Sequence, residues 1–219
     1  MTGADEAGEQ GRAAFIESFD VPRETQDRLD AYAALLKKWQ ARLNLVGPAT
    51  LPDLWTRHFH DSAQLLPLVA THRPGGLPVR WLDMGAGAGF PGLVIAIMGG
   101  GAVELVESDR RKCAFLNQVI RETGGPARVH ARRLESLTPF AADIVTARAF
   151  APLDRLLGYA APFCGTATEI WLLKGKDAQE ELTRARQCWT FDCESYPSAT
   201  GQGGRILRIR TLHRAGHTD

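Results

Sequence analysis

Residues 81–92 read WLDMGAGAGFPG. A short β-rich run leads in, three alternating glycines follow, and an apolar helical segment, Phe90–Met98, leads out. Gly85, Gly87 and Gly89 allow a tight turn and let the backbone approach a ligand where a Cβ would collide. The amides at the start of the following helix favour an anionic or polar group. Strand, glycine loop and helix in this order open a nucleotide-binding βα unit, of which a dinucleotide site is one common version.

Outward from this loop the chain alternates. VRWLDM (79–84), VELVE (103–107), RVHA (128–131), DIVTA (143–147) and EIWLLK (169–174) are strand-like. Helical candidates lie between them at Phe90–Met98, Asp109–Glu122, Pro152–Ala161 and Asp177–Cys188. Such alternation predicts a parallel, doubly wound sheet. The end breaks the pattern: WTFDCESY (189–196) and RILRIRTL (205–212) are joined by PSATGQGG with no helix between them, so a terminal antiparallel hairpin is expected. Before residue 75 the chain reads as helical. Leu29, Tyr32, Ala33, Leu36 and Trp39 make one apolar stripe after Pro22, and a second helical segment starts near Pro52 with Leu54, Trp55, His58, Phe59 and Leu66. Residues 1–14 are expected to be a frayed tail, and THRPGGLP (71–78) a turn-rich connector.

Three details bear on the ligand. The loop is D-x-G-x-G-x-G, with Asp83 two residues before the first glycine. A carboxylate there sits poorly beside a pyrophosphate and suits a methionyl ammonium, directly or through water. Glu107 closes the second strand 24 residues later, where an acid can accept both ribose hydroxyls. NAD enzymes share that acid, so it supports a nucleoside without choosing the cofactor. The terminal hairpin chooses: an antiparallel last strand in a parallel sheet is the mark of class I S-adenosylmethionine methyltransferases. The expected architecture is therefore an α/β Rossmann-like sheet over residues 76–219 with a helical N-terminal subdomain over 1–75.

The chain resembles the bacterial glucose-inhibited division protein B family, the small-subunit ribosomal RNA guanine-N7 methyltransferases. The resemblance rests on KKWQARLNLVG (37–47), RHFHDS (57–62), LDMGAGAGFPG (82–92), ESDRRKCAFL (107–116), TARAFAPL (146–153) and LLKG (172–175). Ala147 stands where the family usually has Ser, and GAGAGFPG replaces the commoner GTGPGLPG. The resemblance implies cofactor contacts at Gly85, Phe90, Leu134, Glu135 and Arg148, with Leu134 packing the adenine and Glu135 or its backbone accepting from its amino group. It also implies 16S ribosomal RNA as substrate, free or within a small subunit or its precursor.

What the chain lacks agrees with that acceptor. The slot after the fourth strand reads ARAFAP rather than the (Asn/Asp)-Pro-Pro-(Tyr/Phe) of exocyclic-amine methylation. Cys164, in PFC, reads as a buried thiol rather than a C5 nucleophile. Guanine N7 presents a free lone pair and needs no base. Arg148 is the expected catalytic residue, engaging a methionyl carboxylate, a phosphate or guanine O6. His58 is expected to join Asp61 in a polar network at the cleft. Lys174, with Lys176, stands at its rim, so His58 and Lys174 are the expected substrate contacts. His58 and His60 form an HxH whose rings diverge on a helix, so no metal site is expected. Trp39 and Trp55 read as core.

The chain has 219 residues, with 26 Lys and Arg against 25 Asp and Glu. That near-balance argues against a basic tail protein, an acidic disordered chain or a membrane protein. Four cysteines without CxxC read as reduced thiols. The acidic, glycine-containing start does not resemble a signal peptide, so a cytoplasmic protein is expected. Locally the charge is basic: residues 108–155 carry nine Lys or Arg against five acids, and the segment from 201 carries four Arg against Asp219. Those segments are the expected RNA-contacting rim, with salt-sensitive affinity. A class I methyltransferase with another acceptor, a non-catalytic nucleotide-binding module and a NAD-dependent oxidoreductase are the alternatives.

Overall fold

The computed structural model describes residues 3–73, 75, 76, 78–201 and 203–216. Pro74 and Leu77 of the expected connector, and Asp219 of the basic segment, lie outside them. Five strands alternate with helices and a hairpin follows: β1 (Trp81–Met84), β2 (Val103–Glu107), β3 (Ala127–Ala131), β4 (Ala142–Arg148), β5 (Cys164–Lys174), β6 (Trp189–Pro197) and β7 (Arg205–Arg214). Their order in the single sheet is β3-β2-β1-β4-β5-β7-β6. β1 to β5 pair in parallel, and β7 enters antiparallel between β5 and β6. The hairpin thus completes the sheet as the sequence predicts. β1 is flanked by β2 on one side and β4 on the other, so the loops after β1 and β4 part and leave a crevice at the sheet's carboxyl edge.

Alternation along the strands divides the core in two. Trp81, Val103, Leu105, Ile144 and Trp171 face one way, and Leu82, Met84, Val106, Val145 and Leu172 the other. The first face is covered by α1 (Gly3–Phe19), α2 (Arg23–Gln40), α5 (Gly92–Ile97) and α6 (Arg110–Thr123). Phe15, Tyr32, Phe59 and Phe115 belong to that one continuous cluster. The second face is covered by α7 (Leu153–Ala160) and α8 (Ala178–Ala185) through Leu153, Leu157 and Leu182. Local chemistry marks the ends of α6: Asp109 caps its start, accepting from the amides of Arg111 and Lys112 at 2.8 and 3.4 Å. Gly124, in the left-handed conformation, ends it.

Two helical expectations need correction. The expected frayed tail is mostly α1: residues 3–19 are helical, because Phe15, fully buried, anchors the helix against Trp55 and Phe59. The segment from Pro52 is not one α-helix. Trp55–His60 forms a π-helical stretch, followed by α3 (Asp61–Ala63) and α4 (Leu65–His72). The wider turn puts Trp55, His58 and Phe59 inside together.

Candidate active site

The crevice holds a cavity of about 690 Å³ over the carboxyl ends of β1, β2 and β4, within the size range of small-molecule sites. Its floor is the glycine loop. Gly85 has φ +70°, and a Cβ there would lie 2.2 Å from the Phe150 ring, so loop and ring occupy one closely packed surface. The loop is held from below by Tyr32, whose hydroxyl donates to the Ala88 carbonyl. Glu107, at the end of β2, accepts from the Gly87 amide at 3.0 Å through one oxygen and from the Asp109 amide at 2.7 Å through the other. A carboxylate has about four acceptor positions, so two remain for ribose hydroxyls. Leu134 and Glu135 line the same cavity beyond β3, where an adenine would lie against the buried Leu134.

Asp83 does not line the cavity. It lies fully buried beneath the loop, where its Oδ2 accepts from the Gly92 amide at 3.0 Å. Its Oδ1 is buried with no hydrogen-bond partner among the described residues. Burial pushes the carboxyl up to about 7, against the Gly92 bond and the Arg148 charge, which pull it down. A cation resting on the loop would restore the ionised form, which is the chemistry a methionyl ammonium supplies. The glycine floor, the partly satisfied Glu107 carboxylate and this orphaned oxygen fit S-adenosylmethionine.

Phe90 organises the far wall. It is buried, stacked between Tyr32 at 5.3 Å and His58 at 5.1 Å, with the Arg148 guanidinium 5.0 Å from its ring centre. Arg148 donates to the Arg57 carbonyl at 3.2 Å and lies 3.6 Å from Asp61. Burial lowers its pKa and Asp61 counteracts it.

His58 lies against Thr50, its Nε2 2.8 Å from the hydroxyl oxygen, while that hydroxyl donates to the Gly47 carbonyl at 2.8 Å. Thr50 has one hydroxyl hydrogen, so Nε2 carries the imidazole proton and donates, leaving Nδ1 as a bare, buried acceptor. Burial, then the Arg148 and Arg57 charges, depress the ring to about 3. His58 is therefore neutral and a poor base. Its neighbour His60 turns the other way, onto Phe19 at 5.0 Å. The expected link between His58 and Asp61 is indirect: His58 bonds Thr50, and Asp61 faces Arg148.

His58, Arg148 and Lys174 also line a second cavity, of about 600 Å³. Lys174 is not a free cation at a rim. Its Nζ donates to Glu181 at 2.8 Å and to the Ala151 carbonyl at 3.2 Å. The two more buried thiols are also committed: Cys113 donates to the Glu107 carbonyl and Cys164 to the Ala160 carbonyl, both at 3.3 Å. Burial raises both, Cys164 to about 11, so neither is a thiolate nucleophile at neutral pH. Among the described residues no group of three His, Cys, Asp or Glu could hold a metal ion. Trp39 donates to Gln118 and Trp55 is buried in the core.

Sequence reasoning missed Tyr32, Thr50 and Arg57 as parts of the site. Tyr32 lay in an apolar stripe, and its hydroxyl's destination 56 residues away has no local signature.

A family model described as GidB, rRNA small subunit methyltransferase G, matches residues 25–206. Among curated relatives, a ribosomal RNA small subunit methyltransferase G of Paramagnetospirillum magneticum is 52% identical over 194 residues, 89% of this chain and 92% of that protein. One of Rhodospirillum rubrum is 51% identical over 203 residues, 92% of this chain and 98% of that protein. Solved structures share the fold at low identity. A variant of MtNAS in complex with S-adenosylmethionine superposes with a TM-score of 0.58 at 13% identity, covering 94% of this chain and 88% of that one. Aeropyrum pernix fibrillarin with bound S-adenosyl-L-methionine gives 0.52 at 13% identity, covering 69% of this chain and 76% of that one.

Proposed function

The chain belongs to the ribosomal RNA small subunit methyltransferase G family, and on that membership we propose that it methylates N7 of one guanine in 16S ribosomal RNA. The observation that carries the acceptor is electrostatic: His58, which lines the nucleoside cleft, is held neutral with a pKa of about 3. Such a wall suits an acceptor that already presents a lone pair.

When bound, S-adenosylmethionine supplies an electrophilic methyl group on a sulfonium. An acceptor with a free lone pair would need no proton moved, so the residues of this chain have only to bind and orient the two partners. The chain's contribution is alignment, which supplies roughly 7–11 kcal/mol in well-oriented reactions. Glu107 holds the ribose, Leu134 packs the adenine and Glu135 accepts from its amino group. Gly85 and Gly87 let the backbone close on the methionyl end, with Asp83 beneath it. Arg148 has five N–H donors and spends one on the Arg57 carbonyl. Others would be available to a methionyl carboxylate, a phosphate or guanine O6. Packing against Phe90 and facing Asp61 keep that guanidinium in place.

Among the described residues no helix is long and apolar enough to cross a membrane, and a ribosomal substrate would support the reading of a cytoplasmic enzyme. The test is methyl transfer from labelled S-adenosylmethionine to small subunits and to 16S ribosomal RNA from cells lacking the protein, followed by nucleoside analysis. We expect label in 7-methylguanosine. Label in another nucleoside would overturn the acceptor, and binding of NAD without binding of S-adenosylmethionine would overturn the whole reading.

A further inference from the structure

The second cavity adjoins the first across a narrow partition of His58, Arg148, Ala149 and Phe150, the residues that line both. Anything held there lies one side chain away from the donor. Ala149 has φ +50°, the left-handed region that costs a non-glycine residue about 1–2 kcal/mol. Strain of this kind persists where the surroundings over-determine it, and it clusters at functional sites.

The lining is cationic in a specific way. Arg148 and Lys174 have carboxylate partners in Asp61 and Glu181. Arg205 reaches back to Ser195 at 2.9 Å. Among the described residues Arg57, Arg184 and Arg205 line the cavity without an ion-pair partner, Arg57 and Arg184 without a side-chain hydrogen bond either, and Asp177 is the lining carboxylate with no ion-pair partner. Asp177, Glu181 and Arg184 are spaced i, i+4 and i+7, so the start and body of α8 turn one face inward. Phe150, Pro152 and Leu173 add apolar lining. Two guanidiniums without a side-chain partner, an unpaired carboxylate and an apolar lining match one nucleotide. Phosphate takes the guanidiniums, the lining packs the base, and a carboxylate accepts from adjacent N–H groups on guanine's Watson–Crick edge, which adenine does not present.

We propose that this cavity is the acceptor site. It takes a single guanine nucleotide turned out of the RNA, with its phosphate at Arg57 and Arg184 and its Watson–Crick edge at Asp177. This rests on the methyl-transfer reading and adds the residues that would select the base. Turning the base out costs a few kcal/mol, least in a single-stranded loop, so the site favours unpaired guanine.

The test uses the full chain saturated with S-adenosylhomocysteine and 5′-GMP as probe, followed by amide chemical shifts. We expect GMP to move Gly175, Thr200 and Gly204, which line the second cavity, and to leave Gly87 and Ser108 of the first unmoved. Arg57→Ala and Arg184→Ala should each weaken GMP about tenfold or more, the effect of losing one charge-assisted hydrogen bond. S-adenosylhomocysteine affinity should stay unchanged in Arg184→Ala, which also reports folding. Asp177→Asn should remove the preference for GMP over 5′-AMP. GMP shifts confined to the first cavity, unchanged GMP affinity in both arginine variants, or a retained base preference in Asp177→Asn would overturn the assignment. GMP binding here without methylation of ribosomal RNA would instead count against the enzyme's proposed substrate.

Discussion

Replacing Asp83 by Asn should flatten the pH dependence of ligand binding. The carboxyl is fully buried, one oxygen accepts from Gly92 and the other has no partner, and its pKa is raised to about 7. A raised acid pKa binds a proton more tightly in the folded state. Its contribution to stability is therefore greatest below pH 4 and is lost as pH rises through 7, a loss of about 4 kcal/mol in the unliganded protein. A ligand ammonium over the loop favours the ionised form and reverses the penalty. If binding requires the carboxylate, the competent fraction rises from about one-tenth at pH 6 to about three-quarters at pH 7.5, so the Kd falls about eightfold over that range. His58, at about 3, does not titrate in this window, and the ligand's amino group titrates above it, near 8. Calorimetry with S-adenosylhomocysteine from pH 6 to 7.5, in buffers of differing ionisation heat, reads both affinity and proton release. Asp83→Asn, which keeps an acceptor for Gly92, should bind more weakly at pH 7.5 and show little slope. An identical slope in wild type and variant, or a flat wild-type profile, would refute the coupling between Asp83 and the ligand.

Gly85→Ala should lower stability by about 1–2 kcal/mol for the left-handed φ and about 1–3 more for displacing Phe150; a wild-type melting curve would show that the ring yields freely. Glu107→Gln should weaken S-adenosylhomocysteine about tenfold, read by calorimetry, since it removes the charge that holds the loop and the ribose; unchanged affinity would remove Glu107 from the nucleoside site. Arg208→Met leaves Glu169 buried without its guanidinium, so urea unfolding should show a loss of about 3–5 kcal/mol. Arg208→Met with Glu169→Leu should recover most of it, and no recovery would mean that packing rather than charge is lost.

The sheet was readable because its signals are local. Alternating runs, the glycine loop and a helix-free connection between the last two strands each sit within a few residues. Glu107 was readable for the same reason, as an acid closing a strand. What escaped reading depends on partners distant in sequence. α1 is held by Phe15 against Trp55 and Phe59, so its polar first half looked unfit for structure. The π-helical stretch at Trp55–His60 leaves no mark in composition, yet it aims His58 at Phe90. Asp83 was legible as part of the loop, but the Gly92 amide that claims one of its oxygens, and the full burial of the carboxylate, were not. Lys174 looked like a rim cation because nothing in LLKG reveals Glu181 one helix later.

The junction of the N-terminal helices with the terminal hairpin has a consequence for biosynthesis. Gln64 accepts from the Ala199 amide at 2.7 Å, and Asp61 accepts from the Thr200 hydroxyl at 3.2 Å, across 135 and 139 residues. The first cavity is built from residues 45–159, whereas the second needs Ser198, Thr200 and Arg205 for its wall. During translation the nucleoside cleft has its full set of residues well before the wall beside it does. A nascent chain therefore carries every residue that lines the first cavity before it carries those that wall the second.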